Sequence, residues 1–123
     1  MNDNQATTAA GAVYNNGYSA AFKNTVVWNG GCAKNGGGFT SGGHNDGPKS
    51  CGFTGPGDFF KKPQLGLLGQ HGGFSATEVP AATSPLVDTG SYSGCPTVDE
   101  RGVHRPQGPG CDIGAVERRR SDA

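Results

Sequence analysis

Hydrophobic positions along this chain favour short strands and exclude long helices. Residues 11–17 (GAVYNNG) place β-prone residues before an Asn/Gly turn signal, and residues 22–30 (FKNTVVWNG) repeat that arrangement. No window carries apolar residues at the i, i+3, i+4, i+7 spacing of an amphipathic helix without a Gly or Pro inside it. Two short strands spaced by roughly 10–15 residues are typical of a solenoid, in which each coil buries its face against the next. Asparagine suits the corners of such coils because it tolerates the left-handed backbone conformation.

The pattern changes after residue 31. Residues 32–62 are rich in glycine and show no periodicity, which predicts a surface excursion. Residues 63–94 carry few apolar residues, often in pairs, and this predicts an irregular segment that packs anchor residues along an existing surface. We therefore expect one domain with three parts: solenoid rungs in residues 1–31, a loop-rich closing segment in residues 32–117, and a disordered polar tail in residues 118–123.

Composition narrows the class of protein further. The chain has 123 residues, and Gly (23) and Pro (8) make up about a quarter of them. Leu, Ile, Val and Phe together supply only roughly 15%, less than most folded domains contain, although the net charge of zero is not that of a disordered chain. No apolar run is long enough to span a membrane. Balanced charge, with Arg118–Arg120 as the only basic run, argues against a nucleic-acid partner.

Four cysteines suggest disulfide staples for a chain with so small an apolar core. Their spacing contains no CxxC motif, which argues against zinc-knuckle and thioredoxin sites, and three disulfide connectivities are open. Disulfides imply an oxidising compartment, yet residues 1–4 have neither the basic nor the apolar region of a signal peptide. A removed signal, a truncated fragment and a reduced cytosolic protein are the three alternatives. The cysteines are Cys32, Cys51, Cys95 and Cys111.

Several motifs carry a family resemblance. Residues 11–17 followed by residues 24–29 resemble one rung of a bacterial right-handed parallel β-helix of the pectin-lyase-like superfamily. The remainder is similar to the C-terminal region of choice-of-anchor Q domain proteins, which are secreted or surface-attached and often described as adhesin-like. The motifs behind this similarity are SGGHN (41–45), LGLL (65–68), SPLVD (84–88), DERG (99–102) and CDIGAVE (111–117). The chain departs from the family at residues 62–65, which read KPQL where the family commonly has DPLL.

The resemblance implies a specific architecture. It predicts an all-β fold, the C-terminal end of a right-handed parallel β-helix with one or two rungs and long disulfide-stapled loops. Together with sequence locality, it predicts the pairs Cys32–Cys51 and Cys95–Cys111, each closing a loop worth about 3 kcal/mol. It also implies a secreted or cell-surface location. The open edge of the first rung predicts self-association through strand pairing.

The closing segment contains the one dense charged cluster of the sequence. A catalytic interpretation makes the chain a polysaccharide lyase, glycoside hydrolase or other small hydrolase, which uses Asp99, Glu100, Arg101 and Asp112 with Ca²⁺ on the acids. A structural interpretation pairs Arg101 or Arg105 with Asp112 or Glu117 to lock the terminal segment, and we favour it. A catalytic groove on a β-helix needs several rungs, and this chain offers at most two.

Three aromatic residues are the candidate binding residues. Tyr14, Tyr18 and Trp28 stand near the predicted strands, where spaced rings can stack on sugar rings. The alternative is that they fill or flank the small core. Three scattered histidines form no HxH or HExxH pair, so no metal site and no cofactor is predicted. The sequence therefore predicts a non-enzymatic, adhesin-like extracellular module that contacts carbohydrate, with the carbohydrate-active enzyme as the alternative.

Overall fold

The computed structural model describes residues 1–2, 4, 6 and 11–122. The chain divides into two compact units, Met1–Lys61 and Lys62–Ala123. The sequence instead predicts a change of structure at residue 31. The first unit extends further because residues 32–41 form strands that pair with the strands before them.

The first unit contains two small parallel sheets of two strands each; residues 13–22 and 32–41, which pair with each other, are called its first and second coil. Its strands are β1 (Val13–Asn16), β2 (Ser19–Phe22), β3 (Cys32–Asn35) and β4 (Gly38–Ser41), followed by a short 3₁₀ helix at Lys49–Cys51. Strand β1 pairs in parallel with β3, and β2 pairs in parallel with β4. In both sheets each residue pairs with the residue 19 positions later, as Val13 does with Cys32 and Ser19 with Gly38. A third row of parallel bridges joins Val26, Asp46 and Phe59.

The expectation of short strands and little helix is confirmed in its general form, since the described residues hold short strands in small parallel sheets and no α-helix. The first predicted strand is β1. The second predicted strand, residues 22–30, begins at the last residue of β2 and otherwise holds only isolated bridges, at Val26 and Trp28. The glycine-rich segment after residue 31 contains β3 and β4, which the sequence analysis missed. Their sequences, CAKN and GFTS, carry too few apolar residues to show a period, and pairing with the preceding coil sets their conformation.

A small apolar core lies inside the coils. The Phe22 ring packs 5.8 Å from the Phe39 ring and 5.3 Å from the Phe53 ring, measured between centroids. Because edge-to-face and tilted aromatic contacts add to area burial, three rings stabilise a core that has few aliphatic residues. The disulfide Cys32–Cys51 ties β3 to the 3₁₀ helix in the same core. Its remaining members are Ala12, Val13 and Val27.

Side-chain amides tie the two coils together at their corners. The Asn15 amide is buried, and its Nδ2 donates to the carbonyls of Tyr18 and Gly38, the second at 3.1 Å. One side chain thereby satisfies carbonyls on both coils. Asn35 Nδ2 donates to Asn16 Oδ1 at 3.3 Å, so two asparagines 19 positions apart stack at the surface. The left-handed backbone expected of asparagine at turns occurs at Asn24 and Asn29, with φ of 50° and 49°.

The second unit is irregular. Its described residues contain three isolated antiparallel bridges, and they contain neither a helix nor a strand longer than one bridge. Its disulfide is Cys95–Cys111, so both predicted pairs are confirmed. The buried apolar residues of this unit are Leu86, Val103, Cys111, Ile113 and Val116. Throughout the described part of the chain, no helix has the length and apolar character needed to cross a bilayer.

Candidate functional site

The predicted aromatic residues of the first unit lie in different parts of the coil. Tyr14 lies on β1 and is 52% exposed, while Tyr18 precedes β2 and is 79% exposed. Trp28 is partly buried and packs against Phe60, with 5.3 Å between the ring centroids and 54° between the planes. Phe60 is itself 63% exposed. The structure therefore pairs Trp28 with an aromatic residue that the sequence analysis missed.

Backbone pairing places Trp28 and Phe60 side by side. The Trp28 N–H donates to the Met1 carbonyl at 2.9 Å, and the Val27 N–H donates to the Asp46 carbonyl at 2.8 Å. The Phe59 N–H donates to the Asn45 carbonyl at 2.9 Å. These bonds form the third row of the coil. The FFKK segment at residues 59–62 is the sequence signal that could have revealed Phe60, since two adjacent aromatics before two lysines rarely bury both rings.

Asp46 is buried and pairs through its backbone with Val26 and Phe59, which lie close in sequence to the two residues of the aromatic pair. Its Oδ1 accepts the Lys61 N–H at 2.9 Å, while its Oδ2 has no hydrogen-bond partner. Burial raises the pKa of Asp46 to about 6, against the opposing effects of the Lys61 N–H and the Lys61 charge. Asp46 therefore holds the segment that carries Phe60, with a carboxylate that is costly to keep ionised.

A second polar network fixes the loop after β4. The Asp58 carboxylate accepts hydrogen bonds from the Ser41 hydroxyl, the Gly55 N–H and the backbone and amide of Asn45. Burial alone would raise the pKa of Asp58, but these hydrogen bonds outweigh it and the pKa is lowered. Asp58 has a structural role, because its partners all belong to the end of β4 and the loop that follows it.

The charged cluster of the second unit is built around Arg101. Its Nε donates to Asp99 Oδ2 at 3.3 Å, and its Nη2 donates to the Glu117 carbonyl at 2.7 Å. Nη1 and Nη2 together donate to both oxygens of Asp122, at 3.2 and 3.1 Å. The Arg101 side chain is fully buried, and Nη1 also donates to the His71 carbonyl. Because Nε, Nη1 and Nη2 all donate hydrogen bonds within the unit, buried Arg101 has a structural role: it holds three segments of the chain together.

Asp99 contacts Arg101 and also accepts hydrogen bonds from three backbone N–H groups. Its Oδ1 accepts the N–H groups of Arg101 and Val103, both at 2.8 Å, and its Oδ2 accepts the Glu117 N–H at 2.8 Å. Burial opposes ionisation, but these three N–H groups and Arg101 prevail and lower the pKa of Asp99. The adjacent Glu100 is exposed. The two neighbouring acids of the catalytic interpretation therefore have unrelated environments.

The predicted disordered tail differs from the structure. The sequence favours disorder for residues 118–123, but Asp122 accepts the Arg119 N–H at 2.8 Å and the bidentate contact from Arg101. Burial opposes the charge on Asp122, and the hydrogen bonds from Arg101 and Arg119 reverse this effect and lower its pKa. The polar tail is ordered through residue 122 because it supplies the second carboxylate that buried Arg101 needs. Residue 123 lies outside the described residues.

The second pair of the cluster matches one of the predicted ion pairs. Arg105 Nη1 lies 3.4 Å from Glu117 Oε2 and donates to the Asp112 carbonyl at 3.0 Å. Asp112 itself faces backbone N–H groups, those of Asp88 at 2.8 Å and Arg118 at 2.7 Å. Burial raises the pKa of Asp112 to about 6, and the nearby charge of Glu117 acts in the same direction. The predicted pairing of Arg101 with Asp112 or Glu117 is replaced by Arg101 with Asp99 and Asp122.

Within the described ranges, no three His, Cys, Asp or Glu side chains are grouped to hold a metal ion. In Asp99 and Asp112, the candidate Ca²⁺ ligands, both carboxylate oxygens accept hydrogen bonds from backbone N–H groups. Comparisons of the chain with protein-family models, with curated proteins and with solved structures give no significant match. The site must be interpreted from its own chemistry.

Proposed function

We propose that this chain is a non-enzymatic extracellular module, adhesin-like in role, that contacts carbohydrate through exposed aromatic side chains. The contact surface is formed by the Trp28–Phe60 pair, with Tyr14 and Tyr18 as further contacts. The proposal keeps the resemblance to the closing segment of choice-of-anchor Q β-helix proteins as its premise. The observation that carries it is a contrast. Tyr14, Tyr18 and Phe60 are exposed, whereas Asp99 and Asp112, two of the three acids that a catalyst would use, are buried and accept backbone N–H groups.

Two parallel sheets with one register support the β-helix part of the proposal. The constant offset of 19 residues in both sheets is what successive coils of a solenoid produce. The third row at Val26, Asp46 and Phe59 adds a further face to the same coils. Right-handedness and membership of the pectin-lyase-like superfamily are part of the proposal.

Exposure of the aromatic rings supports the carbohydrate contact. A sugar ring presents a face of C–H groups that packs on an aromatic ring, and hydroxyl groups that bond to polar neighbours. The Trp28–Phe60 pair offers a partly buried, and therefore positioned, ring beside a solvent-facing one.

The two disulfides support the extracellular location. Both pairs are formed, and such bonds persist in oxidising compartments. Secretion or attachment to the cell surface is the corresponding proposal.

Self-association is a further part of the proposal. Among the described residues, strands β1 and β2 each pair with one strand, and we propose that the other edge of each is open to a second copy of the chain. We expect light scattering to give a molar mass that rises with protein concentration. A constant monomer mass up to high concentration would contradict this part.

A panel of polysaccharides tests binding against catalysis. The purified chain is incubated with pectin, alginate, chitin, cellulose and ester substrates, with and without Ca²⁺. We expect retention on one or more of the polysaccharides and no release of products. Product release that grows with protein concentration and is lost in Asp99→Asn would favour the enzyme. Arg120→Gln is the control because Arg120 is exposed and lies outside the candidate catalytic residues. Circular dichroism of both variants confirms that they fold, because Asp99 also holds backbone N–H groups.

A further inference from the structure

A groove with a volume of about 1110 Å³ opens on the second unit. One wall is the segment whose ends are joined by the antiparallel bridge between Leu65 and Pro80. The other wall is formed by Arg118, Arg119, Ser121 and Asp122, within the segment 118–123 that the sequence predicts to be disordered. Leu65, Val79 and Pro80 give the groove an apolar lining between polar walls. Its size is that of a ligand site rather than a packing defect.

Positive charge is concentrated along this groove. Lys62, Arg118 and Arg119 line it, and Asp122 is the carboxylate among its lining residues. Both oxygens of Asp122 already accept bonds from Arg101 and Arg119, so its charge is neutralised within the unit. The chain as a whole has a net charge of zero. A groove with surplus cations on a neutral protein attracts anionic ligands.

The two arginines that line the groove are each anchored to the unit by a side-chain hydrogen bond. Arg118 Nη1 donates to the Pro80 carbonyl at 3.0 Å, which fixes this guanidinium at the wall. Arg119 Nη2 bonds to Asp122 Oδ1 at 3.2 Å, while its Nε is buried without a hydrogen-bond partner. An unsatisfied buried donor is unfavourable, but this enclosed Nε is not accessible to a ligand in this position. The Arg119 side chain as a whole is 41% exposed, and it offers its positive charge to an anion in the groove. Carboxylate and sulfate groups suit an arginine because they accept two N–H bonds at once.

We propose that this groove binds an acidic polysaccharide, one that carries carboxylate or sulfate groups. The choice of a polysaccharide over an acidic peptide rests on the proposed carbohydrate contact of the first unit. The aliphatic and proline surface of Leu65, Val79 and Pro80 can pack on the C–H face of a sugar ring. Charged groups of the polymer bond to Lys62, Arg118 and Arg119.

The test compares matched charge removals. Arg119→Gln and Lys62→Gln each remove one positive charge from the groove, and Arg119→Gln retains the Arg119 N–H bond to Asp122. Arg120→Gln is the control because Arg120 is exposed, adjacent in sequence and not part of the lining. Affinities are measured by calorimetry for polygalacturonate, dextran sulfate, uncharged dextran and polyglutamate. Circular dichroism and disulfide mapping confirm that each variant folds.

We expect Arg119→Gln to weaken binding of polygalacturonate or dextran sulfate about tenfold, and Arg120→Gln to weaken it less than about twofold. Polygalacturonate and dextran sulfate distinguish carboxylate from sulfate as the group that is recognised. Absence of binding to both, equal effects of Arg119→Gln and Arg120→Gln, or equal affinity for polyglutamate would overturn the proposal. Phe60→Ala is measured in parallel. If Phe60→Ala leaves binding unchanged while the groove variants weaken it, the proposed aromatic contact is contradicted and the groove proposal is supported. If Phe60→Ala weakens binding while the groove variants leave it unchanged, the groove proposal is contradicted and the aromatic contact is supported.

Discussion

Asp99, Asp112 and Glu117 use their carboxylate oxygens to hold backbone N–H groups of their own unit. A domain with few regular hydrogen bonds needs other acceptors for its buried N–H groups, and carboxylates are the strongest acceptors available. This explains why an irregular segment carries so many buried acids. The sequence analysis favoured a structural role for these acids, but it could not assign partners. Asp122 was missed because a polar terminal segment gives no pattern that distinguishes an ordered residue from a disordered one.

Replacement of Arg101 tests the structural role directly. Arg101→Ala leaves Asp99 and Asp122 without their buried cation, so we expect a loss of about 3–5 kcal/mol in the free energy of unfolding. Urea denaturation of the full chain measures it. Arg120→Ala serves as the control because Arg120 is exposed, and we expect a change within about 0.5 kcal/mol. Equal stability of the two variants would refute the role assigned to Arg101.

Stability should depend on pH through the two acids whose pKa is about 6. Asp46 and Asp112 bind protons more tightly in the folded state than at their ordinary value of 3.8. Their contribution to stability is therefore present below about pH 4 and is lost as the pH rises through about 6. We expect a free energy of unfolding about 1–3 kcal/mol higher at pH 4.5 than at pH 7.5.

Asp46→Asn isolates one of these two groups. The variant keeps an oxygen for the Lys61 N–H and removes the titration, so it should raise stability at pH 7.5 and change it little at pH 4.5. Glu100→Gln, an exposed control, should leave the difference between the two pH values unchanged. A variant Asp46→Asn with the same pH dependence as the parent chain would contradict this assignment.

At the scale of elements, the coils of the first unit are defined by pairing more than by hydrophobic pattern. β1 was predictable because residues 11–17 combine β-prone residues with a turn signal. β3 and β4 were not, since Lys34, Gly38 and Thr40 interrupt any alternation. Their extended conformation depends on hydrogen bonds to β1 and β2, which are long-range contacts that a local pattern does not record.

The two coil turns provide a matched pair of glycines. Gly17 and Gly37 both have positive φ, +87° and +67°. A Cβ at Gly17 would meet nothing within 4 Å, whereas a Cβ at Gly37 would lie 2.1 Å from the Tyr18 carbonyl oxygen of the neighbouring coil. We expect Gly17→Ala to cost about 1–2 kcal/mol from backbone strain, and Gly37→Ala to cost about 1–3 kcal/mol more. Thermal unfolding of both variants checks the stacking of the turns, and equal melting temperatures would argue against it.

At the scale of the whole molecule, two units of different character share one chain. The first derives its order from parallel coils and an aromatic core, and the second from a disulfide and buried ion pairs. Local cysteine spacing was a sound guide to both disulfides because each bond closes a short loop. The change of pattern between residues 62 and 63 lies beside the boundary at residue 61, but irregular sequence on both sides favours one closing segment rather than two units.

The central claim is that exposed aromatic residues of the first unit contact carbohydrate. The most direct measurement is the affinity of Phe60→Ala, beside that of the parent chain, for the polysaccharide that the parent retains. Tyr92→Ala is the matched control because Tyr92 is 65% exposed, close to the 63% of Phe60, and lies in the second unit. We expect Phe60→Ala to weaken binding about three- to tenfold and Tyr92→Ala to leave it unchanged. Equal affinities of the parent chain and Phe60→Ala, with both folded, would contradict the claim.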